Sequence, residues 1–158
     1  MKQIKLTQGQ VALVDDEDFV ALSKFKWCAL WNKNTSSYYA GRQSPIGRGR
    51  QTTVRMHRQI LGLTDRNIFG DHKNHDTLDN RRMNLRAVTQ TQNRWNLSGA
   101  LRCSTTGARG VFRSGSGYRA RIVVSGRRFH LGVFPTISDA SASYAAANKK
   151  HYGEFGGL

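Results

Sequence analysis

Apolar and polar positions change places over short distances along this chain, and the period of that change names the elements. Residues 4–6 and 11–14 are brief apolar runs across the turn-forming Gln8-Gly9-Gln10, which predicts two short strands. Asp15-Asp16-Glu17-Asp18 follows, an acidic run suited to the first turn of a helix reaching about residue 22, with Phe19, Leu22 and Phe25 inward. We read that run as a solvated cap, not as a metal site. Residues 25–31 and 38–42 read as paired strands, and Trp27, Trp31, Tyr38 and Tyr39 as packing residues. Residues 44–50 form a hairpin tip, 52–56 a returning strand and 57–61 a short helix.

The pattern is sharpest near the C-terminus. Tyr118, Ala120, Ile122 and Val124 alternate with Arg119, Arg121 and Val123, as a strand with one covered face requires. Residues 109–113 and 127–133 flank it as further strands across Gly-rich turns. Thr136 or Ser138 caps a helix over 139–151 whose Ala140, Tyr144 and Ala147 share a face. Between 98 and 108 the chain is small, polar and aperiodic, a linker. The expected architecture is α+β: a small mixed β/α region leading into a strand–strand–helix core at about 66–98, within a domain covering 1–98. A linker at 99–108 then precedes a three-stranded antiparallel sheet packed on one helix in a domain covering 109–158.

Charge narrows what such a fold is for. The 158 residues carry a formal net charge of +15, and 17 of the 25 basic residues are arginine. Guanidinium forks match phosphate oxygens and guanine edges, so a polyanionic partner is indicated and a neutral metabolic enzyme is not. Cys28 and Cys103 stand far apart without CxxC spacing, against a disulfide framework or a structural zinc site. The opening MKQIKLTQGQ lacks the apolar core of a signal peptide. No apolar run approaches the roughly 20 residues of a membrane span. A cytoplasmic protein is expected.

The chemistry concentrates between Phe69 and Trp95. Asp71-His72 ends one expected strand, the turn formers Lys73-Asn74-His75-Asp76 follow, and the polar loop Asp79-Asn80-Arg81-Arg82 leads to Asn84. Residues 85–88 form a second strand, Thr89 a helix N-cap, and Asn93 lies on that helix. Asp71-His72, Asn84-Leu85, and Val88-Thr89 followed by Asn93 together resemble the HNH (ββα-metal) motif, in the phage and intron homing-endonuclease variant whose last histidine is asparagine. Met56-His57-Arg58 also recurs in that family just upstream, and His75 stands where the family commonly carries glycine. The resemblance implies a phage- or mobile-element-encoded endonuclease acting on double-stranded DNA in a bacterial host's cytosol.

A second resemblance covers about 109–155. Arg109-Gly110-Val111, Tyr118 through Ile122, His130 through Phe134, Ser141 through Ala147, and Tyr152-Gly153 are similar to the APETALA-two DNA-binding domain of plant ethylene-response factors. In that family the sheet enters the major groove. The resemblance implies DNA contacts from Arg109, Gly110, Arg121 and His130, and we add Arg113, Arg119 and Arg128 from the same strands.

Hydrolysing a phosphodiester needs an activated water, charge neutralisation at the phosphate and help for the departing 3′ oxygen. We assign His72 as general base, since an imidazole with a pKa of about 6.5 accepts a proton at neutral pH. Asp71 and Asn93 are assigned as ligands to one divalent cation, Mg2+ or Mn2+, because hard oxygen donors suit those ions. Neighbours on a strand face opposite ways, which fits a division of labour between Asp71 and His72. Asn84 is assigned as site-structural, tying the loop and holding the His72 tautomer. Arg81, Arg82, Arg86 and Arg94 are expected against the DNA backbone. His57 reads as a buried structural histidine or a DNA contact, and His75 as solvated loop or a phosphate contact. One site per chain suggests a nick from a monomer, or two cuts from a DNA-induced dimer. A catalytically inactive DNA-binding regulator is the alternative, and an RNA-binding protein a third reading.

Overall fold

The computed structural model describes residues 1–96 and 104–156, except the side chain of Glu154. The first half of the expected linker, residues 99–103, lies outside the described residues. The chain divides into two units, Met1–Asn93 and Arg94–Leu158. It is mixed α+β, with four small antiparallel sheets and four α-helices among the described residues. None of those helices is long and apolar enough to cross a membrane.

In the first unit β1 (Lys2–Lys5) pairs antiparallel with β2 (Val11–Val14), and Ile4, Ala12 and Val14 turn inward. The helix α1 (Asp16–Leu22) holds three carboxylates in its first turn, where the helix dipole favours negative charge. The next strand begins later than the sequence pattern suggests: β3 is Cys28–Asn32. The Phe25 amide and the Trp27 indole N–H both donate to the Leu22 carbonyl, so residues 25–27 close the end of α1 instead of joining a ladder. β3 pairs with β4 (Ser37–Pro45), and β4 with β5 (Gln51–Arg55). The short helix α2 (Met56–Ile60) follows at once.

β6 (Ile68–His72) and β7 (Leu85–Thr89) form a two-stranded sheet, and α3 (Gln90–Trp95) starts directly after β7. Thr89 and Gln92 build a reciprocal cap: the Gln92 amide donates to Thr89 Oγ1, and the Thr89 amide donates to Gln92 Oε1. The core joins β1, β2, α1, β4 and α2 to Leu85 of β7. A second tie comes from β2. Leu13 N donates to Leu78 O and Asn80 N donates to Leu13 O, pinning the loop between β6 and β7 to the N-terminal strands.

In the second unit β8 (Val111–Ser114), β9 (Gly117–Val124) and β10 (Arg127–Phe134) form a sheet in the order β10-β9-β8. The helix α4 (Ile137–Tyr152) packs on it over Val111, Ala120 and Ala140. Thr136 caps α4 by accepting from Asp139 N at 3.1 Å. The first strand starts two residues after the expected Arg109. Gly110 turns the chain at φ +69°, and a Cβ there would lie 2.2 Å from the Tyr144 ring of α4. Arg109 and Gly110 therefore lie in the turn that admits Tyr144, not in the sheet.

Candidate active site

In the β6–β7 ladder Asp71 stands opposite Arg86 and His72 opposite Leu85. Directly opposed residues share a face, and neighbours on one strand take opposite faces. Asp71, Arg86, Phe69 and Val88 thus belong to one face of the hairpin, and His72, Leu85, Gly70 and Ala87 to the other. The contacts agree with that division.

On the first face Arg86 Nε donates to Asp71 Oδ2 at 2.8 Å, and each side chain is only 9% exposed. On the second face the His72 ring lies 5.1 Å from that of His57 at 80° and 6.0 Å from that of Tyr39 at 67°. Gly70 provides the space, since a Cβ there would sit 2.4 Å from His57 Cδ2. His72 is 4% exposed. Burial pushes its pKa below the ordinary 6.5, while a hydrogen bond with the Asn80 side chain and the charges of Asp71, Asp76 and Asp79 act the other way. His57 is driven further, to about 3, by burial first and then by His72, Arg55 and Arg58. Two neutral imidazoles in edge-to-face contact result.

The loop between the strands is closely tied. The Asn84 amide donates to Asp79 O at 2.7 Å, and its side-chain oxygen accepts from Asn74 N at 3.0 Å. Asp79, 2% exposed, takes Arg81 through both oxygens at 2.7 Å. That fork holds the Asp79 carboxyl below the usual carboxylate range. His75 is exposed and adopts φ +64°, the left-handed conformation that glycine enters most readily. Asn93 lies half-buried on α3.

The expected backbone-contacting arginines differ in how they are engaged. Arg81 and Arg86 are paired as above. Arg82 forks onto Asp18 at 2.7 and 2.8 Å, lies 2.8 Å from Glu17, and donates its backbone amide to Asp15. The acidic run of α1 is therefore a second anchor of the β6–β7 loop beside β2, a role that a separation of 64 residues hides from the sequence. Arg94 is exposed.

In the second unit the ladder sorts the remaining candidates. Phe112 pairs with Arg119, His130 with Arg121, Arg128 with Val123, and Val133 with Arg119. These share the face of the sheet away from Ala120 and Ile122. A bulge between His130 and Gly132 resets the phase of β10 so that Val133 returns to that face. Arg119, Arg121, Arg128 and His130 are thereby brought together, with the Arg121 guanidinium 4.1 Å from the Phe112 ring centroid. Arg113 stands opposite Tyr118 on the other face. The Arg109 guanidinium turns back to the Arg94 and Trp95 carbonyls, at 3.2 and 3.4 Å.

The donor set also limits which cation fits. No group of three or more His, Cys, Asp or Glu side chains among the described residues could hold a metal ion. A carboxylate and an amide oxygen suit a hard cation that takes most of its shell from water and phosphate. A carboxylate offers about four lone-pair sites, and Arg86 Nε takes one of them on Oδ2 of Asp71.

No family model matches the chain, and no solved structure matches it. Over 149 residues it is 28% identical to an uncharacterized HNH endonuclease of Acanthamoeba polyphaga mimivirus, a match spanning 94% of this chain and 74% of that protein. That similarity supports a nuclease of the HNH type.

Proposed function

We propose that the chain is a metal-dependent DNA endonuclease of the homing or nicking type. It hydrolyses one phosphodiester to leave a 5′ phosphate and a 3′ hydroxyl. The observation that carries this reading is His72, a neutral imidazole at the end of β6, in a strand–strand–helix frame. The similarity to a protein named an HNH endonuclease extends over nearly the whole chain.

In this reading His72 takes a proton from the attacking water at an imidazole nitrogen. Its burial keeps that nitrogen unprotonated at neutral pH, and it requires the water to arrive with the DNA rather than from bulk solvent. Asp71 and Asn93 would hold one divalent cation, Mg2+ or Mn2+, which when bound neutralises phosphate charge and supports the departing 3′ oxygen. Arg86 fixes the Asp71 carboxylate, and Asn84 fixes the loop that leads from one strand to the other. The outer face of the C-terminal sheet, with Arg119, Arg121, Arg128 and His130, helps to choose the target as an APETALA-two-like domain would, either as a monomer or as a DNA-induced dimer.

One observation favours a second reading, a DNA-binding regulator without cleavage activity: Asp71 is already paired with Arg86 on the face opposite His72. Supercoiled plasmid separates the two. In Mg2+ or Mn2+ the chain is expected to convert it to nicked circles, and EDTA to stop the conversion. Duplex binding with no relaxation in either metal would establish the second reading instead.

A further inference from the structure

We propose that the groove between β5 and α2 in the first unit seats the sugar–phosphate backbone of a DNA duplex, with Arg55 and Arg66 as its charge contacts. The groove is open, encloses about 590 Å³, and is lined by Thr52, Thr53, Arg55, Arg58, Gln59 and Arg66 among others. Its polar lining is three guanidinium groups with hydroxyl and amide side chains, a donor-rich surface without a carboxylate.

Pairing distinguishes this groove from the arginines between residues 81 and 86. Arg81, Arg82 and Arg86 each lie within salt-bridge distance of a carboxylate. Among the described residues no carboxylate lies that close to Arg55, Arg58 or Arg66. Arg58 is locked by the Ile68, Leu63 and Asp65 carbonyls, which fix its position but leave its charge uncompensated. The Arg55 guanidinium lies 4.9 Å from the Tyr39 ring centroid, and its Nη1 is buried without an acceptor. A half-buried guanidinium held on an aromatic face has its position fixed before an anion arrives.

The groove also lies in the right place. Tyr39, beneath Arg55, is 6.0 Å from the His72 ring, centroid to centroid. A strand bound along β5 would therefore run toward the imidazole assigned as general base. This last step rests on the nuclease reading; the phosphate contact does not.

The test is duplex affinity across a series of KCl concentrations, read by fluorescence anisotropy on the full chain. Removing one phosphate-neutralising side chain lowers the slope of log affinity against log salt by about 1. We expect Arg66→Gln, an exposed position, to lower the slope by about 1, and Arg55→Gln with Arg66→Gln to lower it by about 2 and weaken binding at least about tenfold. Arg55→Lys should keep the wild-type slope. A folding defect lowers the active fraction without changing the slope, so it cannot imitate this result. An unchanged slope in the double variant overturns the proposal. So does arginine-dependent binding of single-stranded RNA tighter than that of duplex, or displacement of duplex by inorganic phosphate alone at matched ionic strength. If wild type never cuts in Mg2+ or Mn2+ yet shows the arginine-dependent slope, the nuclease reading falls and the groove stands. Cutting with no change in slope has the opposite meaning.

Discussion

Replacing His72 by Ala is expected to abolish plasmid relaxation while duplex binding survives. A positioned general base contributes about 10²–10⁴-fold to a rate. His57 is the nearest ring, but burial and the charges around it hold its pKa near 3, so it is a far weaker proton acceptor. Because the His72 ring is packed against His57, Ala leaves a void as well as removing the base. His72→Gln fills more of that space and should be equally inactive, with a circular-dichroism melt nearer to wild type. The pH profile gives an independent reading. Burial favours neutral His72, so the acid limb of kcat/KM should fall below the ordinary imidazole value of 6.5. Full cutting by either variant in Mg2+ would remove His72 from the chemistry.

Arg86→Ala is expected to cost about 3–5 kcal/mol of folding stability, as breaking a buried ion pair does when one charge is left uncompensated. Both side chains are 9% exposed and the contact is 2.8 Å, so water cannot readily replace the guanidinium. Urea titration should show a lower midpoint with an unchanged slope. The double change Arg86→Ala with Asp71→Asn should recover part of the loss, because the orphaned charge is gone. If Asp71 also holds a cation, Mg2+ should restore stability to the single variant in proportion to its concentration, and not to the double variant. A loss below about 1 kcal/mol would mean that the pair behaves like a solvated surface bridge.

The elements legible in the sequence are those fixed by local period. The alternation from Tyr118 to Val124 marks β9, and it separates Arg119 and Arg121 from Ala120 and Ile122 correctly. Thr89 is readable as a cap because capping chemistry spans only three residues. What stays hidden depends on register or on distant partners. No pattern within residues 69–95 shows that Asp71 faces Arg86, since one step of register would pair it with a different residue. Likewise Asp18 and Arg82 meet only because α1 and the β6–β7 loop share a core. The packing of His57 over Gly70 is half visible: the Met56-His57-Arg58 text stands out, but not the missing side chain that makes room for the ring. Asn80 gives no signal at all, because an asparagine in a polar loop looks like every other turn former. The strands at Cys28 and Val111 begin later than their sequences suggest for one reason. Each stretch is held out of the ladder by an element it packs on, residues 25–27 by the Leu22 carbonyl of α1 and Gly110 by the Tyr144 ring of α4.

The central claim is that Asp71 and Asn93 share one cation while the His72 imidazole acts on water beside it. Crystals of the His72→Ala variant with duplex DNA and Mn2+, measured for anomalous scattering, test it most directly. One manganese peak per chain, bounded by the Asp71 carboxylate, the Asn93 amide and a DNA phosphate, is the expected result. No peak there, with Asp71 still closed onto Arg86 and DNA bound only along the basic surfaces, would contradict it.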